Sequence, residues 1–172
     1  IEDRLDDREA IHSFLKVVKR NILRLIKITT TMLKYGDLSI VEKKESSIKE
    51  LVEDVLLLTE SECQNRSIDI CHESTQDIYV QCIAEQLSHA ILNIVINAMQ
   101  SIEKKGSIHI SFCEQSFFDD KGVSRSGVCL SIKDTGCGIS NQNIKRVFDP
   151  FFSTKHENSG LGLSLVLKIM GE

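Results

Sequence analysis

The sequence predicts a mixed α/β domain, an α+β two-layer sandwich, with one long amphipathic helix ahead of it. Three observations predict this. Apolar residues follow a heptad period before residue 40. After it, helical and strand periods interleave. Glycine-rich turns then punctuate the second part. A chain of 172 residues, 41% apolar and 27% charged, buries a real core, roughly two-thirds of its unfolded surface. One Pro and nine Gly exclude collagen-like and Pro-rich disordered classes. A net charge of −4 disfavours nucleic acid as the main partner. The longest apolar run, Val55–Leu58, is too short to cross a membrane, so this segment is expected to make no membrane contact.

The long helix comes first. Ile11, Leu15, Val18, Ile22, Leu25, Thr29 and Met32 alternate in steps of four and three, a heptad seam. Lys16, Lys19, Arg20, Arg24, Lys27 and Lys34 form its charged face. Such a stripe needs partner helices, so residues 1–40 are expected to form a dimerisation-bundle helix, and residues 47–172 the domain that follows. A helix packed on its own domain is the competing arrangement. Residues 37–46 are expected to be a polar linker.

Ser47 and Glu50 fit a capping box ahead of a helix marked by Ile48, Leu51, Val52, Val55, Leu56 and Leu58. Ile68–Cys71 and Ile78–Cys82 are expected strands, and 84–103 a helix. Strand alternation returns at Ser107–Glu114 and again at Val128, Leu130 and Ile132. Residues 115–127 are expected to be a loop, and Leu161–Met170 a last helix. The six Cys, at 63, 71, 82, 113, 129 and 137, have neither CxxC nor zinc-finger spacing. An even count permits disulfides. With no secretory signal, reduced thiols in a cytoplasmic setting are expected. The chain opens at Ile1 without Met and is expected to be a fragment of a larger protein.

Four patterns carry chemistry. From Ser88 to Ile102 the third helix has no Asp, Glu, Lys or Arg, yet Asn93 and Asn97 sit four apart on one face. Their carboxamides are either bonded to neighbouring backbone or available as oxygen ligands to a hard cation such as Mg²⁺. Asp134-Thr135-Gly136-Cys137-Gly138-Ile139 follows a strand. It is either an ordinary turn or a place where backbone approaches a ligand closely, with Asp134 a buried-end acceptor for an exocyclic amine. Val147–Lys155 holds three of the seven Phe within five residues, then Ser153, Thr154 and Lys155. It is either an aromatic plug or a loop presenting groups suited to phosphate oxygens. Ser159-Gly160-Leu161-Gly162-Leu163-Ser164 opens a helix, where backbone N–H groups favour anions. It is neither a Walker loop nor a dinucleotide fingerprint.

The order Asn…Asn, DTGCGI, FDPFFSTK, GLGLS resembles the ATP-binding domain of sensor histidine kinases. That domain has the Bergerat (GHKL) fold, shared with gyrase- and MutL-type ATPases. The resemblance runs from about Ser47 to the C-terminus. The heptad helix is similar to the second helix of the family's dimerisation domain. The resemblance implies ATP and Mg²⁺ as cofactors, with Asn97 as Mg²⁺ ligand and Asn93 lining the same site. Asp134 would accept from the adenine amine, with Gly136, Gly138 and Ile139 in the loop under the base. Phe148, Phe151 and Phe152 would anchor an ATP lid at about Ser153–Ser159. Thr154 and Lys155 would face phosphate, and Gly160, Leu161 and Gly162 would carry the triphosphate. A phosphate-binding Lys found in many relatives is Gln100 here.

Hydrolysing relatives carry a Glu four residues before the metal-binding Asn, where this chain has Asn93. The resemblance therefore implies a histidine kinase, which hands the ATP γ-phosphate to a histidine and then to a response-regulator aspartate. A conformational ATPase and a nucleotide-binding module without kinase activity are the alternatives. His12 lacks the acidic neighbour that follows the family's phosphoacceptor. His72, His89, His109 and His156 lie within the ATP-binding part. No catalytic histidine is therefore assigned. The phosphoacceptor helix and the final strands are expected to lie outside this chain. The expected partners are a second copy, through the heptad helix, and a receiver domain.

Overall fold

The computed structural model describes residues 42–73, 77–118, 121–155 and 160–171. The heptad seam of residues 10–36, with the homodimer expected from it, lies outside them. So do His156 and the centre of the expected lid.

The first element is one the sequence hides. Residues 44–47, expected to be linker, form strand β1 (Lys44–Ser47). Its side chains are all polar, so no apolar alternation marks it. Its pairing is backbone-driven: it runs antiparallel to β3 (Tyr79–Cys82), with Lys44 opposite Cys82 and Ser47 opposite Tyr79. Ser47 then caps α1 (Ile48–Asn65) as expected, its hydroxyl accepting from the Glu50 N–H at 3.0 Å. The same hydroxyl donates to Asp77 Oδ1 at 2.6 Å. One residue thereby fixes both the helix start and the approach to β3. The helix buries Ile48, Leu51, Val52, Val55 and Cys63, while Leu57 and Leu58 stay exposed.

After β2 (Ile68–Glu73) and β3, helix α2 spans Ala84–Ser101. Arg66 at the end of α1 reaches its C-terminal cap, donating to the Ile102 carbonyl at 2.9 Å. Then come β4 (Gly106–Phe118) and β5 (Ser124–Asp134). Here the structure corrects the expected loop at 115–127 at both ends, where residues 115–118 and 124–127 are strand. The ladder continues to Phe118 opposite Ser124, and the two strands form one long hairpin. Beyond Cys113 the described β4 side chains are all exposed, so no buried face writes a period into the sequence.

β2, β4 and β5 form a three-stranded sheet, β2 parallel and β5 antiparallel to the central β4. Ile108, Ile110 and Phe112 are buried, while the alternate residues His109, Ser111 and Cys113 are exposed. One face of the sheet is thus covered and the other open. Ile110 pairs with Ile132 and Phe112 with Leu130, and the covered face packs under α1 and α2. The short α3 (Asn141–Ile144) and α4 (Gly162–Gly171) follow, with α4 packed along α2. This is the two-layer sandwich expected. No helix among the described residues is long and apolar enough to cross a membrane. None of the six cysteines is in a disulfide.

Candidate functional site

Helix α2 buries Ala90, Ile91, Leu92, Val95, Ala98 and Met99. Off that face, Asn93, Asn97 and Ser101 follow one another in steps of four, all half-buried. They form a polar line along a helix without charged side chains between Ser88 and Ile102. The Asn93 amide donates to the His89 carbonyl at 2.9 Å. This is the backbone bond that a mid-helix Asn requires, and it leaves the carboxamide oxygen outward. That oxygen faces Gly162, where a Cβ would come within 3.0 Å of it. The start of α4 is thereby brought against Asn93. The carboxamide of Asn97 makes no hydrogen bond among the described residues.

Ser101 ends both the helix and the polar line. Its hydroxyl lies 2.6 Å from Asp134 Oδ1 at the end of β5. The Gly136 N–H donates to the same oxygen at 2.9 Å. The Ser101 carbonyl accepts from the Cys137 N–H at 3.1 Å. On its other side the loop is tied to β4: the Thr135 N–H donates to the Ser107 carbonyl at 3.1 Å, and Thr135 Oγ1 accepts from the Ser107 N–H at 2.9 Å. The two glycines serve different ends. At Gly136 a Cβ would overlap the Ser101 side chain and come within 2.6 Å of its carbonyl carbon, so close approach is the reason. Gly138 has φ +70° and open space around it, so backbone conformation is the reason.

Asp134 is exposed, which corrects the expected buried-end acceptor. It is the last residue of an edge strand, so water reaches the carboxylate even though Oδ1 is tied down. Ser101 and Thr135 are the site residues that sequence reasoning missed. The four-residue spacing from Asn93 through Asn97 was the available signal for Ser101.

The aromatic segment follows α3 as a series of turns. Arg146 N–H donates to the Asn143 carbonyl, Asp149 to Arg146 and Phe152 to Asp149, at 2.8, 2.9 and 3.2 Å. Phe152 is half-buried, with the Arg146 guanidinium 4.5 Å from its ring centre. Phe148 and Phe151 are exposed, so an aromatic plug describes Phe152 alone. Phe151 has φ +66°, a strained conformation for a bulky residue. Gly160, also at φ +66°, backs onto it: a Cβ there would meet the Phe151 and Phe152 backbone at 2.5–2.7 Å. The Ser153 hydroxyl accepts from the Lys155 N–H at 3.0 Å. Thr154 and Ile139 are exposed and Lys155 is half-buried. Among the described residues no hydrogen bond joins these three to Asp134 or to the Asn pair.

No group of three or more His, Cys, Asp or Glu among the described residues could hold a metal. The oxygens along the polar line are the carboxamides of Asn93 and Asn97, a ligand type that a hard cation can take beside water and phosphate oxygens.

Residues 82–171 match the family described as histidine kinase-, DNA gyrase B-, and HSP90-like ATPase. The chain is 32% identical over 164 residues to the signal transduction histidine-protein kinase AtoS of Escherichia coli, covering 94% of this chain and 26% of AtoS. It thus spans about a quarter of that relative's length. The catalytic domain of histidine kinase ThkA superposes with a TM-score of 0.60 at 26% identity, over 75% of this chain and 80% of that one. ThkA in complex with the response regulator protein TrrA gives 0.59 at 26% identity, over 91% and 42%. The family match takes in just over half of the chain, and it covers the Asn pair, the Asp134 loop and the start of α4. The chain therefore belongs to the histidine kinase-, DNA gyrase B- and HSP90-like ATPase family of ATP-binding domains, and within it matches the sensor histidine kinases.

Proposed function

We propose that the chain is the ATP-binding part of a sensor histidine kinase, with residues 1–40 as a dimerisation helix and 47–172 as the kinase domain. The observation that carries this reading is the juxtaposition along α2. Asp134 is anchored at the C-terminal end of the helix, and the glycine-rich start of α4 is held against Asn93 two turns back, at mid-helix. A purine at the first and a triphosphate at the second would span the polar line between them.

In this reading the adenine amine donates to Asp134, with Gly136, Gly138 and Ile139 beneath the base. Gly160, Leu161 and Gly162 offer backbone N–H groups to the phosphates at the α4 start. Thr154 and Lys155 approach from the lid side and Phe148 marks its front. Asn97 would hold Mg²⁺ through its carboxamide oxygen, and the ion would neutralise developing phosphate charge. A partner histidine nitrogen forms a bond to the γ-phosphorus as the β–γ bridging bond breaks, which leaves ADP. The family resemblance of the heptad helix supports a homodimer. The ThkA–TrrA complex supports a response-regulator receiver domain as the next acceptor. The proposed setting is the cytoplasm. Asn93 speaks against the ATPase alternative, because a carboxamide cannot serve as the general base that hydrolysis needs.

The test adds γ-labelled ATP to this chain together with a dimerisation helix that carries a histidine. Label on that helix, stable in base and lost in acid, is expected. Steady phosphate release with no histidine present would instead establish the ATPase. Binding of a fluorescent ATP analogue should fall at least tenfold in Asp134→Asn, because an amide presents a donor where the adenine amine needs an acceptor. Unchanged binding in that variant would remove Asp134 from the site.

A further inference from the structure

We infer that Ser101 is a positioning residue for nucleobase recognition: its hydroxyl, acting with the Gly136 N–H, holds one oxygen of Asp134 so that the other faces the base. The inference rests on the adenine-binding reading of Asp134 and extends it to a residue outside the family pattern quoted above.

The Ser101 hydroxyl carries one proton and lies near two acceptors. They are the Ala98 carbonyl at 2.7 Å and Asp134 Oδ1 at 2.6 Å. The carboxylate is charged and the carbonyl is not, so the proton goes to Asp134. Gly136 N–H adds a second donor on the same Oδ1 at 2.9 Å. No described residue donates to Oδ2. Two donors on one oxygen stop the carboxylate from rotating about its χ2 torsion, which is otherwise soft for Asp. Oδ2 is then a fixed acceptor at the mouth of the loop. Asp134 is exposed, so no packing does this work. Without these bonds its carboxylate would sample a broad range of orientations.

The backbone supports the same assignment. The Ser101 carbonyl holds Cys137 N–H at 3.1 Å, so one residue ties both the loop and the acceptor to the end of α2. Gly136 passes so close to Ser101 that a Cβ would overlap its side chain. The loop backbone therefore runs directly against the hydroxyl at the end of the helix.

The test compares binding of ATP with that of inosine triphosphate, which has the same triphosphate and a 6-oxo group where adenine has its amine. The wild type should prefer ATP. In Ser101→Ala the preference should shrink about tenfold, through loss of ATP affinity with inosine triphosphate affinity unchanged. That size is expected for a hydrogen bond to a charged group. Alanine is the better helix former, which offsets part of the lost hydrogen bond, so the variant should remain folded at the assay temperature. Ser101→Thr keeps the hydroxyl and should keep the preference. An unchanged preference in Ser101→Ala, with Asp134→Asn still abolishing it, would overturn the role of Ser101 and leave Asp134 in place. Equal loss of both nucleotides would also overturn it, since that reports a structural effect. A wild type with no preference for ATP would overturn the adenine reading itself.

Discussion

At the Asp134 end of the site, the loop is tied to two other elements. Ser101 of α2 and Ser107 of β4 both bond it, and two of those bonds use loop backbone N–H groups. At the α4 end, the described stretch 148–155 is tied mainly to its own turns. Its bonds run from one turn to the next, and Gly160 folds back onto Phe151 and Phe152. The first region is held by the domain core and the second by its own turns. The base end should therefore transmit any perturbation to the fold, while the phosphate end should absorb it locally.

The largest effect should come from Gly136→Ala, where the added methyl meets the Ser101 backbone as well as its hydroxyl. Neither the helix end nor the loop can move without losing the bonds between them. Overpacking of this kind costs about 1–3 kcal/mol or more. The variant should melt several degrees lower, and nucleotide affinity should fall about a hundredfold. Calorimetric melting and a nucleotide titration check both. A variant with unchanged melting and affinity would show that the loop is not clamped to α2.

The contrast also explains what could be read from the sequence. The Asn pair, the DTGCGI turn and the GLGL helix start each required a residue type at a fixed spacing, so their signals survived in one dimension. Asp134, which looked buried because it closes an apolar strand, is exposed because that strand is an edge. The polar strand β1 and the outer half of the β4–β5 hairpin escaped because backbone pairing holds them and no buried face marks them. Ser101 escaped for another reason. Ser is ordinary near a helix end, and its value depends on a partner 33 residues away in sequence. The paired roles of Gly136 and Gly138 were equally invisible, since close approach and left-handed backbone both write Gly.

Gly160→Ala tests the other region. The backbone there has φ +66°, and the new Cβ would press on the Phe151 carbonyl carbon and the Phe152 backbone. Local strain of about 1–3 kcal/mol follows. Because this end is tied to itself, the melting point should move less than in Gly136→Ala. Affinity for the triphosphate should fall about tenfold, with adenosine binding unchanged. Isothermal titration with ATP and adenosine separates the two. A loss of adenosine binding as large as the loss of ATP binding would mean that the two ends are not independent.

Gly138→Ala should be the mildest and sharpens the comparison inside a single loop. A Cβ at Gly138 meets nothing within 4 Å, so only the conformation at φ +70° is taxed. A left-handed residue costs roughly 1–2 kcal/mol outside glycine. For a chain of this size that lowers the melting point by about 2–8 °C if the conformation is kept. If the loop tip instead relaxes into open space, the loss is smaller still. Either way the bonds at Ser101 and Ser107 lie on the other side of Cys137 and stay intact. Gly138→Ala should therefore keep its preference for ATP over inosine triphosphate while Gly136→Ala loses it. Two substitutions two residues apart, with the same added methyl, would then report separately on how the loop is held and on how it turns.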